Sequence, residues 1–365
     1  MFNKALADKF IRSYGDLCKG VRLSKPRPLL YYFYLTKKCN LNCSYCWQRS
    51  TALEDDKGTV PSHELSADEW CQVIEKIKRP AVIGFSGGEP LLFSGFKKIF
   101  TTAAKRFKVT INSNGLLLSE ELSELFVQHK LRNLSISLDG FASVHDLSRN
   151  SAGSFDKICR NIEFFNRCKS NSQSKTTSLT IKLTLIDEFI DQLDDFVGFC
   201  KHQLQAETVN ISFAKSEHHA QFSHRLYSSL SNLSSAGLPR SEPYKHPKKI
   251  ADLMMSIKKK YTSKDFHLTL YPVAESGPKI EKYLAHQMPP LDIYHPCSIP
   301  WSLITFMPGG DVIPCLSLKI GNVRDHDYDI KEILGNQQHQ EFLNQMRNNK
   351  TPPICNCCCF LSVKA

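Results

Sequence analysis

Short apolar runs alternate with helical patterns between about residues 30 and 215. Each run has the length of a strand and is rich in β-branched or aromatic residues. Six such runs cover residues 30–36, 81–86, 107–112, 133–138, 179–185 and 208–213. The helical patterns between them cover residues 66–78, 96–105, 119–129, 155–169 and 190–203. This alternation predicts repeated βα units around a parallel sheet.

Two serines stand where predicted helices begin. Ser66 and Ser119 each precede a helical pattern, and serine is a favoured N-cap because its hydroxyl accepts from a free backbone N–H. Six βα units make a partial (β/α)6 barrel, which is an α/β fold. Sites in such sheets lie at the C-terminal ends of the strands. Functional residues are therefore expected directly after the strands.

Composition predicts a division of the chain into four parts. Residues 217–249 are rich in serine, histidine and proline, which is typical of a linker. The predicted parts are an N-terminal extension at 1–28, the barrel at 29–216, a linker or insertion with helices at 217–285, and a small C-terminal α+β domain at 286–365.

The overall composition is that of a globular protein. The 365 residues are 41% hydrophobic and 23% charged, which is enough for a sizeable core. Residues 1–16 contain no apolar signal-peptide region, so the 14 cysteines are expected to stay reduced in the cytoplasm rather than form disulfides. No apolar stretch approaches the roughly 20 residues that a membrane helix needs.

The formal net charge of +11 raises the question of an anionic partner. The lysines are spread along the chain, and the densest group, at residues 258–260, lies in a helical pattern. This favours a solvated helical face over a nucleic-acid site. An acidic peptide or a phosphate-bearing substrate is the alternative.

Three cysteines follow the first predicted strand. Cys39, Cys43 and Cys46 have the spacing C-x3-C-x2-C. Three thiolates on a short loop can bind three irons of a 4Fe-4S cluster and leave the fourth iron open for catalysis. The alternative is a structural zinc site, for which His63 is the one histidine soon after the triplet.

With Tyr45 directly before the last cysteine, this triplet resembles the hallmark of the radical S-adenosylmethionine superfamily. The resemblance implies that the amino and carboxylate groups of the cofactor's methionine chelate the open iron. It also implies that one electron, passed to the sulfonium, releases methionine and a 5′-deoxyadenosyl radical. An electron donor such as a flavodoxin or ferredoxin is then expected.

The second predicted strand ends in Gly87, Gly88, Glu89 and Pro90. The glycine pair lets the backbone come close to a ligand, and Glu89 offers acceptors to an ammonium group. Alone, these residues would fit an ordinary turn. Following the cysteine triplet by one strand, they resemble the superfamily's motif for the methionine amino group.

Small polar residues close the third and fourth predicted strands. Asn114 follows the third, and Ser137 lies at the end of the fourth, where it resembles the superfamily's contact with the ribose or the carboxylate. Arg149 completes a His-Asp-x-x-Arg pattern, and the resemblance implies that it forms a salt bridge with the cofactor carboxylate. The alternatives are a surface role for Arg149 and, for Asp139, a cap on the following loop.

Further cysteines lie in the C-terminal part. Cys297, Gly310 and Cys315 follow the pattern C-x12-G-x4-C, with a hairpin turn predicted at 309–311. Cys355 and Cys358 form a C-x2-C pair. The set resembles the twitch or SPASM extension of radical S-adenosylmethionine enzymes, which implies a second, auxiliary 4Fe-4S cluster.

The ligands expected for this auxiliary cluster are Cys297, Cys315, Cys355 and Cys358. Either Cys357 or Cys359 can replace one of the last two, because adjacent cysteines make the register ambiguous. One auxiliary cluster, as in a twitch unit, fits the number of cysteines. Zinc held by four thiolates is the alternative.

The sequence leaves the substrate open. The first hypothesis is a maturase that modifies a peptide or protein, and the second is a dehydrogenase or rearrangement enzyme for a small carbohydrate-derived or natural-product substrate. The third is a non-catalytic iron-sulfur carrier or sensor, which would not need the residues from Gly87 to Pro90. No general base is assigned, since candidates such as Glu217 and Asp311 cannot be ranked from sequence.

Overall fold

The computed structural model describes residues 14–17, 27–46, 63–172, 176–213, 244–272, 274–285, 291–315, 318–348, 355, 358 and 361–364. Within these residues the chain forms one open sheet with the order β10-β9-β8-β1-β2-β3-β4-β5-β6-β7. The strands are β1 Leu30–Tyr34, β2 Val82–Ser86, β3 Lys108–Ser113, β4 Asn133–Ser137, β5 Ser178–Leu185, β6 Thr208–Phe213, β7 His267–Tyr271, β8 Leu303–Phe306, β9 Asp311–Ile313 and β10 Gly321–Asn322.

Helices connect the strands. The α-helices of the described residues are α1 Ala67–Lys76, α2 Phe96–Ala104, α3 Glu120–Gln128, α4 Ala142–Arg149, α5 Ser154–Asn171, α6 Leu193–His202, α7 Pro247–Tyr261, α8 Gly277–Leu284, α9 Ile330–Gly335 and α10 Gln337–Arg347. Ser66 caps α1 and Ser119 caps α3, each through its hydroxyl. The predicted α/β fold with an open, mostly parallel sheet is confirmed, and all six predicted strands are present.

The two faces of the parallel sheet differ in chemistry. One face carries large, fully buried apolar side chains, including Phe33, Phe85, Ile111, Ile136, Ile181 and Ile211. The aligned positions of the other face are polar and include Thr110, Ser135, Ser137, Thr180, Lys182, Asn210 and Thr269. A parallel sheet covered by helices on both sides is apolar on both faces. The polar face is therefore the inner side of the partial barrel.

Four strands extend the sheet beyond the predicted six, and two of them pair directly with its edges. β7 pairs parallel with β6, and β8 pairs parallel with β1 at the other edge. The sequence analysis placed β7 inside the linker at 217–285, because its five residues follow a serine-, histidine- and proline-rich stretch. Buried Leu268 and Leu270 alternate with polar residues and give β7 the period of a strand.

The C-terminal part joins the barrel through β8 and through polar contacts to α1. β8 and β9 form the antiparallel hairpin expected around Gly310, which has a φ of 93° that favours glycine. Arg324 donates to Glu69 at 2.7 Å, and the Tyr328 hydroxyl donates to the same carboxylate at 3.0 Å. Because Glu69 also accepts from the backbone N–H of Ser66, this carboxylate ties the helix cap to the C-terminal part.

No described helix is long and apolar enough to cross a membrane.

Candidate functional site

The cysteine triplet lies on the loop that follows β1. Cys39, Cys43 and Cys46 form no disulfide and are partly exposed. A turn closes the loop where the Cys46 N–H donates to the Cys43 carbonyl at 3.1 Å. The Ser44 N–H donates to the Ser148 carbonyl at 3.0 Å, which fixes the loop to the end of α4. The three thiols therefore stand at the C-terminal end of the sheet, where the sequence predicts the site.

The Gly87–Pro90 turn packs directly against this cysteine loop. The Gly88 N–H donates to the Thr36 carbonyl and the Glu89 N–H to the Lys38 carbonyl, both at 2.8 Å. Gly87 has a φ of 136°, and a Cβ on Gly88 would overlap the Lys38 carbonyl oxygen. The glycine pair is thus required for the close approach of the two loops rather than for a simple turn.

Glu89 is a buried carboxylate that, among the described residues, accepts hydrogen bonds only from neutral donors. Its oxygens accept from the Ser113 hydroxyl at 2.9 Å, the Asn114 N–H at 2.7 Å and the Leu91 N–H at 3.0 Å. Burial raises the pKa of Glu89 to about 7, although these three hydrogen bonds oppose the shift. A further N–H donor from a bound ligand would favour the charged form and lower this pKa.

Two other predicted cofactor-binding residues near Glu89, one from its own motif and one from the end of β3, have structural roles. Pro90 begins a short 3-10 helix, Pro90–Leu92, that Glu89 caps. Asn114 donates from its side chain to Asn40 at 2.8 Å and accepts from the Leu116 N–H at 3.0 Å. Asn114 therefore links the end of β3 to the cysteine loop.

Arg149 forms a buried, bidentate ion pair with Asp139. Its Nε lies 2.6 Å from Oδ2 and its Nη2 lies 2.9 Å from Oδ1. The third nitrogen, Nη1, donates to the Cys43 sulfur at 3.6 Å. Burial alone would raise the pKa of Asp139, but the guanidinium outweighs it and holds that pKa below its usual range. Arg149 is thus not a surface residue, and Asp139 is not a loop cap.

Tyr45 and Ser137 differ in their surroundings. The Tyr45 hydroxyl donates to Asp139, and the Arg149 guanidinium stands 5.4 Å from the centre of the Tyr45 ring. Burial raises the pKa of Tyr45 well above its usual range, so the phenol stays protonated. Ser137 is the last residue of β4, half-buried on the polar face and aligned with Lys182.

The C-terminal cysteines also come together. Burial raises the pKa of the Cys355 thiol, and the neighbouring Cys315 and Cys297 raise it further. The Cys358 N–H donates to the Cys355 carbonyl at 2.9 Å, so the C-x2-C pair forms a turn. A buried thiol such as Cys355 is ordinarily neutral, and a bound metal centre would deprotonate it.

Both sets of thiols have the donor chemistry of iron-sulfur sites. Among the described residues, no three His, Cys, Asp or Glu side chains converge as they would around a single ion. In a 4Fe-4S cluster each thiolate binds a different iron, and the donors present are soft thiols rather than carboxylates. Cys357 and Cys359 lie outside the described residues, so the alternative register stays a prediction.

The structure describes only one of the two residues that the sequence offered as a general base. Asp311 is buried in the hairpin, where it pairs with Lys319 at 2.7 Å and accepts from the Asn322 side chain at 2.8 Å. These contacts give it a structural role in the C-terminal part. Glu217 lies outside the described residues.

Two carboxylates around the site were missed by sequence reasoning. Glu64 accepts from the Thr36 hydroxyl at 3.0 Å and from the Lys37 N–H at 2.7 Å, which fixes the start of the cysteine loop. Asp139 was noticed only as a possible cap, although an arginine ten residues later offered a partner. No local pattern marks Glu64, because its contact with the loop depends on the fold.

Comparison with known families agrees with this geometry. The Radical SAM superfamily matches residues 33–197, and the SPASM iron-sulfur cluster-binding domain matches residues 297–359. Residues 33–197 therefore carry a radical S-adenosylmethionine domain, and residues 297–359 carry a SPASM domain. The expected cofactors, S-adenosylmethionine and iron-sulfur clusters, are confirmed by these two domains.

Individual relatives cover parts of the chain. The sporulation killing factor maturation protein SkfB of Bacillus subtilis is 31% identical over 47% of this chain and 40% of its own length. The AdoMet-dependent heme synthase of Methanosarcina barkeri is 34% identical over 41% of this chain and 42% of its own length. The chain thus spans about two fifths of the length of these curated relatives.

A solved structure shows the same fold over most of the chain. Streptococcus suis SuiB bound to its precursor peptide SuiA superimposes with a TM-score of 0.60 at 14% identity. The match covers 90% of this chain and 69% of SuiB. At this identity the likeness shows the fold alone.

Proposed function

We propose that this radical S-adenosylmethionine enzyme modifies a peptide or protein by abstracting hydrogen from carbon. Cys39, Cys43 and Cys46 would bind the catalytic 4Fe-4S cluster, and Glu89 would bind the methionine amino group. The observation that carries the assignment is the contact between the Gly88–Glu89 turn and the cysteine loop. This contact places the buried Glu89 carboxylate, which has no cationic partner among the described residues, next to the cysteines.

Each part of the site has a defined task in this account. When bound, the cluster and S-adenosylmethionine supply the electron transfer and the 5′-deoxyadenosyl radical. Glu89 would accept an N–H of the iron-bound methionine amino group, because its oxygens are already oriented by Ser113 and Asn114. Ser137 and Arg149 would contact the remaining polar groups of the cofactor. Cys297, Cys315, Cys355 and Cys358 would bind the auxiliary cluster.

A peptide substrate is supported by two of the similar proteins and by charge. One is named a maturation protein, and SuiB was solved with a precursor peptide. The net charge of +11 suits an acidic segment of a substrate. The external electron would come from a one-electron donor such as a flavodoxin or ferredoxin.

A small-molecule substrate is the second candidate. The specific observation in its favour is the heme synthase, which is 34% identical to this chain over the region that it matches. Similarity of the barrel therefore does not separate large substrates from small ones.

The test is a substrate screen with the anaerobically reconstituted enzyme. Purified protein with S-adenosylmethionine and a reductant is offered synthetic acidic peptides or small alcohols, and 5′-deoxyadenosine and substrate mass are followed together. The proposal predicts that a peptide raises 5′-deoxyadenosine formation and loses hydrogen, and that Glu89→Gln abolishes both changes. Stimulation by the small alcohols alone would overturn the peptide assignment.

A further inference from the structure

We infer that Arg149 tunes the catalytic cluster, raising its reduction potential through the N–H that it directs at the Cys43 sulfur. Asp139 is the positioning residue that aims this donor. The inference rests on the proposed binding of the cluster by the cysteine loop. It goes beyond the role implied by the superfamily resemblance, in which Arg149 binds the carboxylate of the cofactor.

The geometry leaves Arg149 little freedom. The guanidinium is planar, and its Nε and Nη2 edge is taken by the two oxygens of Asp139 at 2.6 and 2.9 Å. The position of Nη1 is then fixed by the plane, and it lies 3.6 Å from the Cys43 sulfur. The direction of this N–H therefore follows from the ion pair.

Asp139 is itself held from several sides. Oδ1 accepts from the Thr184 N–H at 3.0 Å, and Oδ2 accepts from the Ser148 hydroxyl at 3.3 Å and from Tyr45. Its side chain is 1% exposed and that of Arg149 is 11% exposed. Moving the guanidinium would leave a buried carboxylate unpaired, which is strongly unfavourable.

The backbone of Asp139 is also fixed. Its N–H donates to Nδ1 of His145 at 3.1 Å, so this histidine must be neutral at that nitrogen. Burial lowers the pKa of His145 to about 4, which keeps the ring uncharged at neutral pH. Of His145 and Arg149, which both contact Asp139, only Arg149 therefore places a positive charge beside Cys43.

This placement has a consequence for the electron that starts the reaction. The cluster takes one electron from an external one-electron donor, and no bond or proton changes at Arg149. The added charge resides partly on the thiolates, so a donor N–H and a cation beside Cys43 stabilise the reduced form more than the oxidised form. Removing the donor should make the cluster harder to reduce.

The experiment is an anaerobic redox titration followed by electron paramagnetic resonance, without S-adenosylmethionine. The catalytic cluster is identified as the signal lost in the Cys39/Cys43/Cys46→Ala protein. The wild type is compared with Arg149→Gln, Arg149→Lys and Asp139→Asn. Arg132→Gln is the matched control, since it removes a partly buried arginine directly before β4, at the opposite end from the site.

The expected result is a shift of the midpoint potential to more negative values in Arg149→Gln. A smaller shift is expected in Arg149→Lys, which keeps the charge but not the planar fork. Asp139→Asn should also shift the potential because it releases the guanidinium, and Arg132→Gln should leave it unchanged. The iron content of each variant shows whether the cluster has assembled.

Two outcomes overturn the inference. One is an unchanged potential in Arg149→Gln with full iron content, and a weaker affinity for S-adenosylmethionine in the same variant would then leave Arg149 as a carboxylate contact alone. The other is an equal shift in Arg132→Gln. Failure of the proposed function would look different, because the wild type would then lack the catalytic cluster or fail to form 5′-deoxyadenosine.

Discussion

Gly88 packs against the carbonyl oxygen of Lys38, so that any side chain on Gly88 would overlap the backbone directly before Cys39. This contact joins the two motifs that the sequence places about 40 residues apart. It explains in physical terms why a glycine pair stands between β2 and Glu89. A Cβ added to Gly88 would have no free space, because the atom that it would meet is a backbone oxygen that cannot move aside as a flexible side chain could.

We expect Gly88→Ala to displace the cysteine loop and to lower both the iron content and the rate of 5′-deoxyadenosine formation, the rate by at least about tenfold. The matched control is Gly277→Ala, where the added Cβ would make only an ordinary contact at 3.6 Å. Iron analysis and the product assay on the two reconstituted variants check this. Equal behaviour of the two proteins would contradict the close approach.

The second prediction concerns the charge of Glu89. Glu89→Gln keeps the shape but removes the charge, so the affinity for S-adenosylmethionine should fall by about tenfold or more, which is typical of a lost charged hydrogen bond. Isothermal titration calorimetry on the reconstituted protein measures this. Glu121→Gln, which neutralises an exposed carboxylate on α3, is the control.

The raised pKa of Glu89 also gives a pH dependence. Because the carboxylate accepts a stronger hydrogen bond from the amino N–H than the neutral acid does, wild-type affinity should rise with pH and level off above about 7. The folding stability of the ligand-free protein depends on pH in the opposite direction. The raised pKa of Glu89 stabilises the fold below pH 4.5, and this contribution is lost as the pH rises through about 7. A wild-type affinity as independent of pH as that of Glu89→Gln would exclude the assignment.

The third prediction concerns two asparagines on the polar face of the sheet. Neither polar atom of the buried Asn210 side chain has a hydrogen-bond partner among the described residues. The Asn133 amide, by contrast, bonds Ser135, Ser178 and Thr180, each at 2.8 Å. Replacing a satisfied amide leaves hydroxyls unpaired and costs about 1–3 kcal/mol, whereas replacing an unsatisfied one does not.

Asn210→Leu should therefore leave the free energy of unfolding unchanged or raise it, and Asn133→Leu should lower it. Urea denaturation of the reconstituted proteins measures both values. If Asn210→Leu were as destabilising as Asn133→Leu, a bound water would have to satisfy Asn210. The expected result would instead mark Asn210 as a polar group retained for a ligand on the inner side of the barrel.

The fourth prediction tests the link between the C-terminal part and α1. The hydrogen bond from Arg324 lowers the pKa of Glu69 to about 2. A lowered carboxyl pKa contributes stability above 4.5, and this is lost as the pH falls toward about 2. A double-mutant cycle with Glu69→Gln and Arg324→Gln should give a coupling of about 1 kcal/mol at pH 7, declining only below pH 4.5.

The exposed ion pair between Lys98 and Asp68 is the control for this cycle, because solvent screens it and its coupling should be smaller. Urea denaturation of the iron-free protein from pH 7 to pH 3 provides the values. The same coupling at pH 7 and pH 3 would show that the Glu69 carboxylate does not titrate as its contacts indicate.

The elements that could be predicted from sequence are those with local signals. The six strands carry apolar alternation, and Ser66 and Ser119 mark helix starts by their own chemistry. β7 was missed because only five residues carry its pattern and the preceding stretch is typical of a linker. The cysteine spacing and the Gly-Gly-Glu-Pro order predict the candidate site, since both follow strands of one sheet.

The contacts within the site could not be predicted in the same way. The pairing of Arg149 with Asp139 and the donor toward Cys43 depend on how α4 packs against the end of β4. The bonds from Glu64 to Thr36 and Lys37 likewise need the cysteine loop to fold back. Such contacts are set by tertiary packing, so sequence shows the residue types but not their partners.

The most direct test of the account is to count iron and sulfide after anaerobic reconstitution of the wild type and of the Cys39/Cys43/Cys46→Ala variant, with 5′-deoxyadenosine assayed alongside. With one catalytic and one auxiliary 4Fe-4S cluster, about eight irons should fall to about four, and 5′-deoxyadenosine should disappear. Retention of all the iron, or of 5′-deoxyadenosine formation, in the variant would show that these three cysteines do not bind the catalytic cluster.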